Sequence, residues 1–81
     1  MKPEDILGLL RARPFEPFRI HMSDGSAFVI RHPELAMVER SKVLVGVPGP
    51  KGPDSPVERT VFCALIHITR VEKLDGTPQQ G

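Results

Sequence analysis

Apolar and polar positions alternate most cleanly over residues 13–34, RPFEPFRIHMSDGSAFVIRHPE. Phe18, Ile20 and Met22 fall on one face of an extended segment, and Arg19 and His21 on the other. That period of two is the pattern of a half-buried strand. A second such segment, residues 26–31, follows Asp24-Gly25, so the pair reads as a β-hairpin bounded by prolines. Register decides between two turns. A two-residue Asp24-Gly25 loop pairs Ile20 with Val29 and Phe18 with Arg31, which sets an arginine on the apolar face. A three-residue loop, Ser23-Asp24-Gly25, pairs Met22 with Ser26, Ile20 with Phe28 and Phe18 with Ile30, and gathers the large apolar residues on one side. The second is predicted, with Gly25 in the left-handed conformation as a bulge. Arg19, His21, Val29 and Arg31 then form a mixed outward patch.

Ahead of the hairpin, residues 3–12 are predicted to be a short amphipathic helix. Pro3 suits the first helical position, Glu4 and Asp5 lie where the helix dipole favours acids, and Arg11 and Arg13 lie at its other end. Ile6, Leu9 and Leu10 follow helical spacing, with Leu7 beside them. Gly8 weakens the helix by about 1 kcal/mol relative to alanine, and so short a helix does not persist alone. It must pack on the sheet or on a neighbouring subunit.

Past the hairpin, Pro33 cannot donate to a ladder, so Arg31-His32-Pro33-Glu34 reads first as a corner that bends a sheet and second as a polar binding edge. The chain resumes as a strand at 35–38; one helical turn over 33–36 is the alternative. Residues 42–47, rich in valine, form the next strand. Residues 48–56, with four prolines and two glycines, form a loop. Residues 57–63 make a fourth strand, 64–67 a tight bend and 68–74 a short fifth strand. The expected core is Ile6, Leu9, Leu10, Phe18, Ile20, Phe28, Ile30, Leu44, Phe62, Ile68 and Val71. The fold class is mainly β with one N-terminal helix (α+β): a five-stranded, strongly bent antiparallel sheet or small barrel.

Length limits the chain to one domain. Its 81 residues suffice for residues 1–75 to form a small core, with 76–81 as a flexible tail. Small domains gain stability from disulfides, metals or oligomerisation. Cys63 is the only cysteine, which removes an intrachain disulfide and fits a reducing, cytoplasmic setting. Oligomerisation is the economical remaining aid. Charge changes little: residues 1–47 carry seven bases and six acids, and 48–81 carry four of each, so no basic block marks a nucleic-acid surface. No apolar run approaches the length of a membrane span, and the first residues lack the layout of a secretory signal. Trp and Tyr, which anchor many binding surfaces, are absent.

Candidate chemistry is sparse. His21, His32 and His67, with Cys63 and Glu34, supply ligand types for zinc, but without a Cys-x-x-Cys or His-x3-His spacing. Cys63 reads as a small buried apolar residue and His67 as a turn residue. Cys63 with His67 as a nucleophile pair, or His32 with Glu34 as an acid–base pair, comes with no oxyanion loop or phosphate cradle. Glu34 is a turn carboxylate within reach of Arg31 or Arg19. No enzyme activity, metal or cofactor is expected.

The pattern Pro-Phe-x-Pro-Phe-Arg-Ile-His-x-x-Asp-Gly, then Arg-His-Pro-Glu, then Leu-Ile-His-Ile-Thr-Arg-Val-Glu, resembles a set of small uncharacterised bacterial proteins, plentiful in planctomycetes and similar phyla, over most of residues 13–74. That resemblance brings no activity with it. The order of elements is similar to the Sm-like fold, with an SH3-like barrel as its near neighbour. The resemblance implies a helix capping a small open barrel, with strands four and five of neighbouring copies pairing into rings. Phe62 to Val71 stands where the second Sm-like motif stands, with Ile68-Thr69-Arg70-Val71 as the fifth strand. Where the host-factor type has a Lys-His pair near the last turn, this chain has Leu65-Ile66-His67, and His67 is the one residue that corresponds.

The expected function is a non-catalytic interaction module that self-associates through exposed strand edges, with an as yet unspecified protein partner and no membrane. The rival is an Sm-like RNA-binding ring. Either would use a surface drawn from Arg19, His21, Arg31, His32, Glu34 and His67.

Overall fold

The first helix, α1 (Pro3–Arg11), is held at both ends by local chemistry. The Lys2 amide donates to Asp5 Oδ2 at 3.0 Å, and the Arg13 guanidinium donates to the carbonyls of Leu10 and Ala12 at 2.9 and 2.7 Å. Arg13 thereby satisfies carbonyls that the helix end leaves without partners. Ala12, expected inside the helix, is its C-cap in extended conformation. Ile6 and Leu10 are buried, and Leu9 packs on the core from its margin.

The computed structural model describes residues 1–52 and 54–74. Six strands follow the helix: β1 (Phe18–Met22), β2 (Ala27–Ile30), β3 (Ala36–Val38), β4 (Lys42–Pro48), β5 (Val57–Ala64) and β6 (Ile68–Lys73). They form two antiparallel three-stranded sheets, β2-β1-β6 and β3-β4-β5. The hairpin has the predicted register: Phe18 faces Ile30 and Ile20 faces Phe28. Met22 N–H donates to the Ser26 carbonyl at 2.9 Å, Gly25 N–H donates to the Met22 carbonyl at 3.0 Å, and Gly25 has φ of +91°. A side chain at that φ is strained, which is why glycine occupies it.

Three expectations are corrected. The strands number six rather than five, because Pro33–Leu35 forms a 3-10 turn that divides what was expected as one interrupted strand; proline fixes the first turn and supplies no ladder donor. The two sheets do not close into a barrel. Leu44 and Phe62, expected in the core, lie outside it: the buried residues of β4 and β5 are Val43, Val45 and Cys63, with Val61 packed against the core. Register explains the exchange. Val43 faces Cys63 and Leu44 faces Phe62, so one pair must point in and the other out. The strand also runs one residue further than expected: Pro48 pairs with Val57 across a bulge at Glu58. The expected tail, residues 76–81, lies outside the described residues.

The core joins both sheets and the helix. Phe18, Ile20 and Ile30 come from the first sheet, Val43, Val45 and Cys63 from the second, Ile6 and Leu10 from α1, and Leu35, Leu65 and Ile68 from the two turns and the start of β6. Phe28 and Val71, expected in the core, pack against its margin. No helix among the described residues is long and apolar enough to cross a membrane.

Candidate functional site

The expected binding residues separate into three places. On the outer face of the first sheet, the β1–β6 register sets Arg19 opposite Glu72 and His21 opposite Arg70. His21 Nε2 lies 2.7 Å from Glu72 Oε1, Arg19 3.4 Å and Arg70 3.9 Å. The hydrogen bond from His21, then the charges of Arg70, His21 and Arg19, hold the Glu72 carboxyl below the usual carboxylate range. Glu72 and Arg70 were missed from sequence; only the pairing of β1 with β6 reveals them.

The Glu72 pKa is lower folded than unfolded, so its contribution is present above the ordinary glutamate value of about 4.3 and is lost as pH falls through the depressed folded value. Urea midpoints of the wild type and Glu72→Gln should differ by a constant amount at neutral pH, and the gap should shrink below about pH 4. A gap independent of pH would contradict the assignment.

At the far end of β2, His32 Nε2 lies 3.0 Å from Asp54 Oδ1, tying the strand end to the proline- and glycine-rich loop. That loop is folded on itself: Gly49 N–H donates to the Pro56 carbonyl at 3.1 Å, and Ser55 Oγ donates to the Gly52 carbonyl at 2.6 Å. Arg31 is exposed beside it. Glu34 is exposed in the 3-10 turn and forms no ion pair with Arg31 or Arg19. Neither does it pair with His32, whose ring is engaged by Asp54.

His67 belongs to a second 3-10 turn, Leu65–His67, seated against the hairpin turn. Ser23 N–H donates to the His67 carbonyl at 2.8 Å, and Ser23 Oγ is 3.4 Å from His67 Nδ1. Asp24 accepts from Ser26, whose hydroxyl and amide donate to its Oδ1 at 2.6 and 2.9 Å; these bonds hold its carboxyl below the usual range. Cys63 is buried, and burial pushes its thiol up, the opposite of what a nucleophilic cysteine requires. The three histidines therefore stand in three environments, and no three His, Cys, Asp or Glu side chains converge as metal ligands among the described residues.

The outer face of the second sheet was not anticipated. Met37, Leu44 and Phe62 are cross-strand partners in one row, so they share that face. Met37 and Phe62 are each 65% exposed, and Ile66, in the adjoining turn, is 84% exposed. The ammonium of Lys42 lies 5.7 Å from the Phe62 ring centroid. The bulge at Glu58 turns Val57 onto the same face over Gly46, where a Cβ would meet Val57 Cγ2 at 3.0 Å. Gly46 leaves the room that Val57 occupies.

Two kinds of main-chain edge remain. Among the described residues, β5 and β6 each lack a second neighbour. The Ser41 carbonyl accepts from Leu65 N–H at 2.9 Å, and the Lys42 carbonyl accepts from Glu39 N–H at 2.8 Å. Antiparallel alternation then bonds Val43 to Cys63 and Val45 to Val61, and turns the amides of Thr60, Phe62 and Ala64 to the free edge. β2 also has one neighbour among the described residues. Between it and the far end of β4 run two adjoining cavities of about 270 and 210 Å³, which share Val29 and Pro48. No protein-family model, curated protein or solved structure matches this chain.

Proposed function

We propose that the chain is a non-catalytic interaction module that self-associates through exposed strand edges, built on an Sm-like plan. Several features support that plan. A helix precedes the strands, β2 and β3 adjoin at one proline corner, β6 pairs back onto β1, and a 3-10 turn separates β5 from β6. The observation that carries the functional reading is the coincidence of two unsatisfied surfaces on one strand. β5, eight residues long, has an edge that pairs with no strand among the described residues, and its Phe62 belongs to the exposed apolar row. Exposed edges are ordinarily blunted by charge, proline or cover, and apolar patches next to them mark association surfaces.

Proline at a strand position whose amide points outward leaves the internal ladder whole and blocks pairing with a new chain. Thr60→Pro is therefore expected to lower the mass in solution to that of one chain, with an unchanged far-UV circular dichroism spectrum. An unchanged oligomeric mass in a folded Thr60→Pro variant would count against the β5 edge.

The RNA-binding ring is the second reading, and the exposed bases Arg31 and Arg40 are what favour it. Arg19 and His21 support it less, since both already share Glu72. Phosphate binding through these bases predicts affinity that falls steeply with salt. With no Trp or Tyr in the chain, nucleic acid carried through purification would dominate the near-ultraviolet spectrum.

A further inference from the structure

We propose that the groove between β2 and the far end of β4 is a docking site for an extended acidic peptide of another protein, which adds as a strand to the β2 edge. Three observations converge on it. The first is main-chain hydrogen bonding. Met22 N–H donates to the Ser26 carbonyl, so alternation bonds Phe28 and Ile30 toward β1 and turns the N–H and C=O groups of Ala27 and Val29 to the free side. Ala27 and Val29 both line the groove. Across it, Gly46, Val47 and Pro48 pair, among the described residues, with β5 and not β3, because the pairing of β4 with β3 stops at Val45. The proline corner ends β2 and lets the two strands part here.

The second observation is the apolar lining. Val29, Val45, Val47 and Pro48 wall the larger cavity, and Leu35 joins Val29 and Pro48 in the smaller. An added strand gains affinity from main-chain bonds and specificity from pockets that take alternate side chains, and this groove offers both.

The third is charge. Arg59 lines the first cavity and Arg31 the second, both exposed and neither in an ion pair among the described residues. Of the acids on this side, Asp54 pairs with His32, while Glu58 is exposed beside Gly49 at the rim of the smaller cavity, where the two guanidinium groups outnumber its one carboxylate. Two guanidinium groups beside an apolar groove select carboxylates, which they bind in forked geometry. The fitting occupant is an extended segment with β-branched residues between acidic ones. The groove opens on the β2 edge; Arg59, its one residue from β5, has its amide turned to β4 and not to the free β5 edge, so strand addition here and self-association through β5 are tested separately.

The test uses the full chain and a fluorescein-labelled, end-blocked peptide of sequence Asp-Ile-Val-Ile-Asp. Two controls accompany it: the same peptide with lysine for aspartate, and the acidic peptide N-methylated at alternate amides. Anisotropy should show saturable binding of the acidic peptide only. Backbone amide shifts should move at Ala27 and Val29. Arg31→Glu with Arg59→Glu, both at exposed positions, should weaken binding about tenfold or more, with an unchanged circular dichroism spectrum. Failure of the acidic peptide to bind overturns the proposal, as does equal binding of the N-methylated or lysine control. Shifts confined to Thr60 and Phe62 would overturn it too, by assigning the peptide to the β5 edge.

Discussion

Phe18→Ala is expected to leave much of the protein unfolded at room temperature. Phe18 is fully buried, pairs with Ile30 across the hairpin and with Lys73 of β6, and has its ring 6.0 Å from that of Phe15. Truncating a buried phenylalanine costs about 3–5 kcal/mol, from lost transfer energy and the cavity left behind. At the usual stability per residue a chain this size has about 4–12 kcal/mol in all, and small domains lie toward the low end. Urea denaturation followed by circular dichroism measures the loss. Phe62→Ala is the control, with both truncations compared in the Thr60→Pro background where self-association is blocked, because the same truncation on a ring exposed in the single chain should cost about 0.5 kcal/mol or less. Equal losses at the two positions would contradict the orientation of β5.

Phe62→Glu is expected to dissociate the protein without unfolding it. The ring is exposed on the outer face of the second sheet, in one row with Met37 and Leu44 and beside the unpaired β5 edge. A carboxylate there breaks the apolar patch and places charge on an edge, the means by which natural sheets prevent edge pairing. Lys42, already over the Phe62 ring, can pair with the new carboxylate, so the monomer loses little. Light scattering should report 9.0 kDa, the mass of one chain, where the wild type reports a multiple of it. An unchanged assembly would place the contact elsewhere on the molecule.

The hairpin was legible because pattern and turn chemistry agree. Alternation in β1 fixes which residues share a face, and Gly25 fixes the loop length. The second sheet was harder for a physical reason. Val43, Leu44, Val45 and Val47 are apolar on both faces of one strand, so a period of two cannot say which face is inside. In β5 the bulge at Glu58 reverses parity within the strand, which hides Val57 from any simple alternation. Phe62 drew the expectation inward by its size, although Cys63 beside it is the residue that the core takes.

Pro33 announced a break, but a strand corner and a 3-10 turn use the same residues, and the sequence alone leaves both open. The candidate site was legible only in parts. Arg19, His21 and Arg31 do face outward, yet Glu72, which engages the first two, lies 53 residues from Arg19. Contacts of that range require the order of strands in the sheet. Neither the apolar outer row nor the groove beside β2 belongs to any single segment; each exists only where strands distant in the chain are placed side by side.

Amide hydrogen exchange at Thr60 and Phe62 tests self-association through the β5 edge most directly. Their N–H groups point away from β4 and have no ladder partner among the described residues, so pairing with another strand is what protects them. Exchange at these two amides should slow as protein concentration rises, while Val61, bonded to β4, is protected throughout. Rapid exchange at Thr60 and Phe62 at every concentration would contradict self-association through this edge.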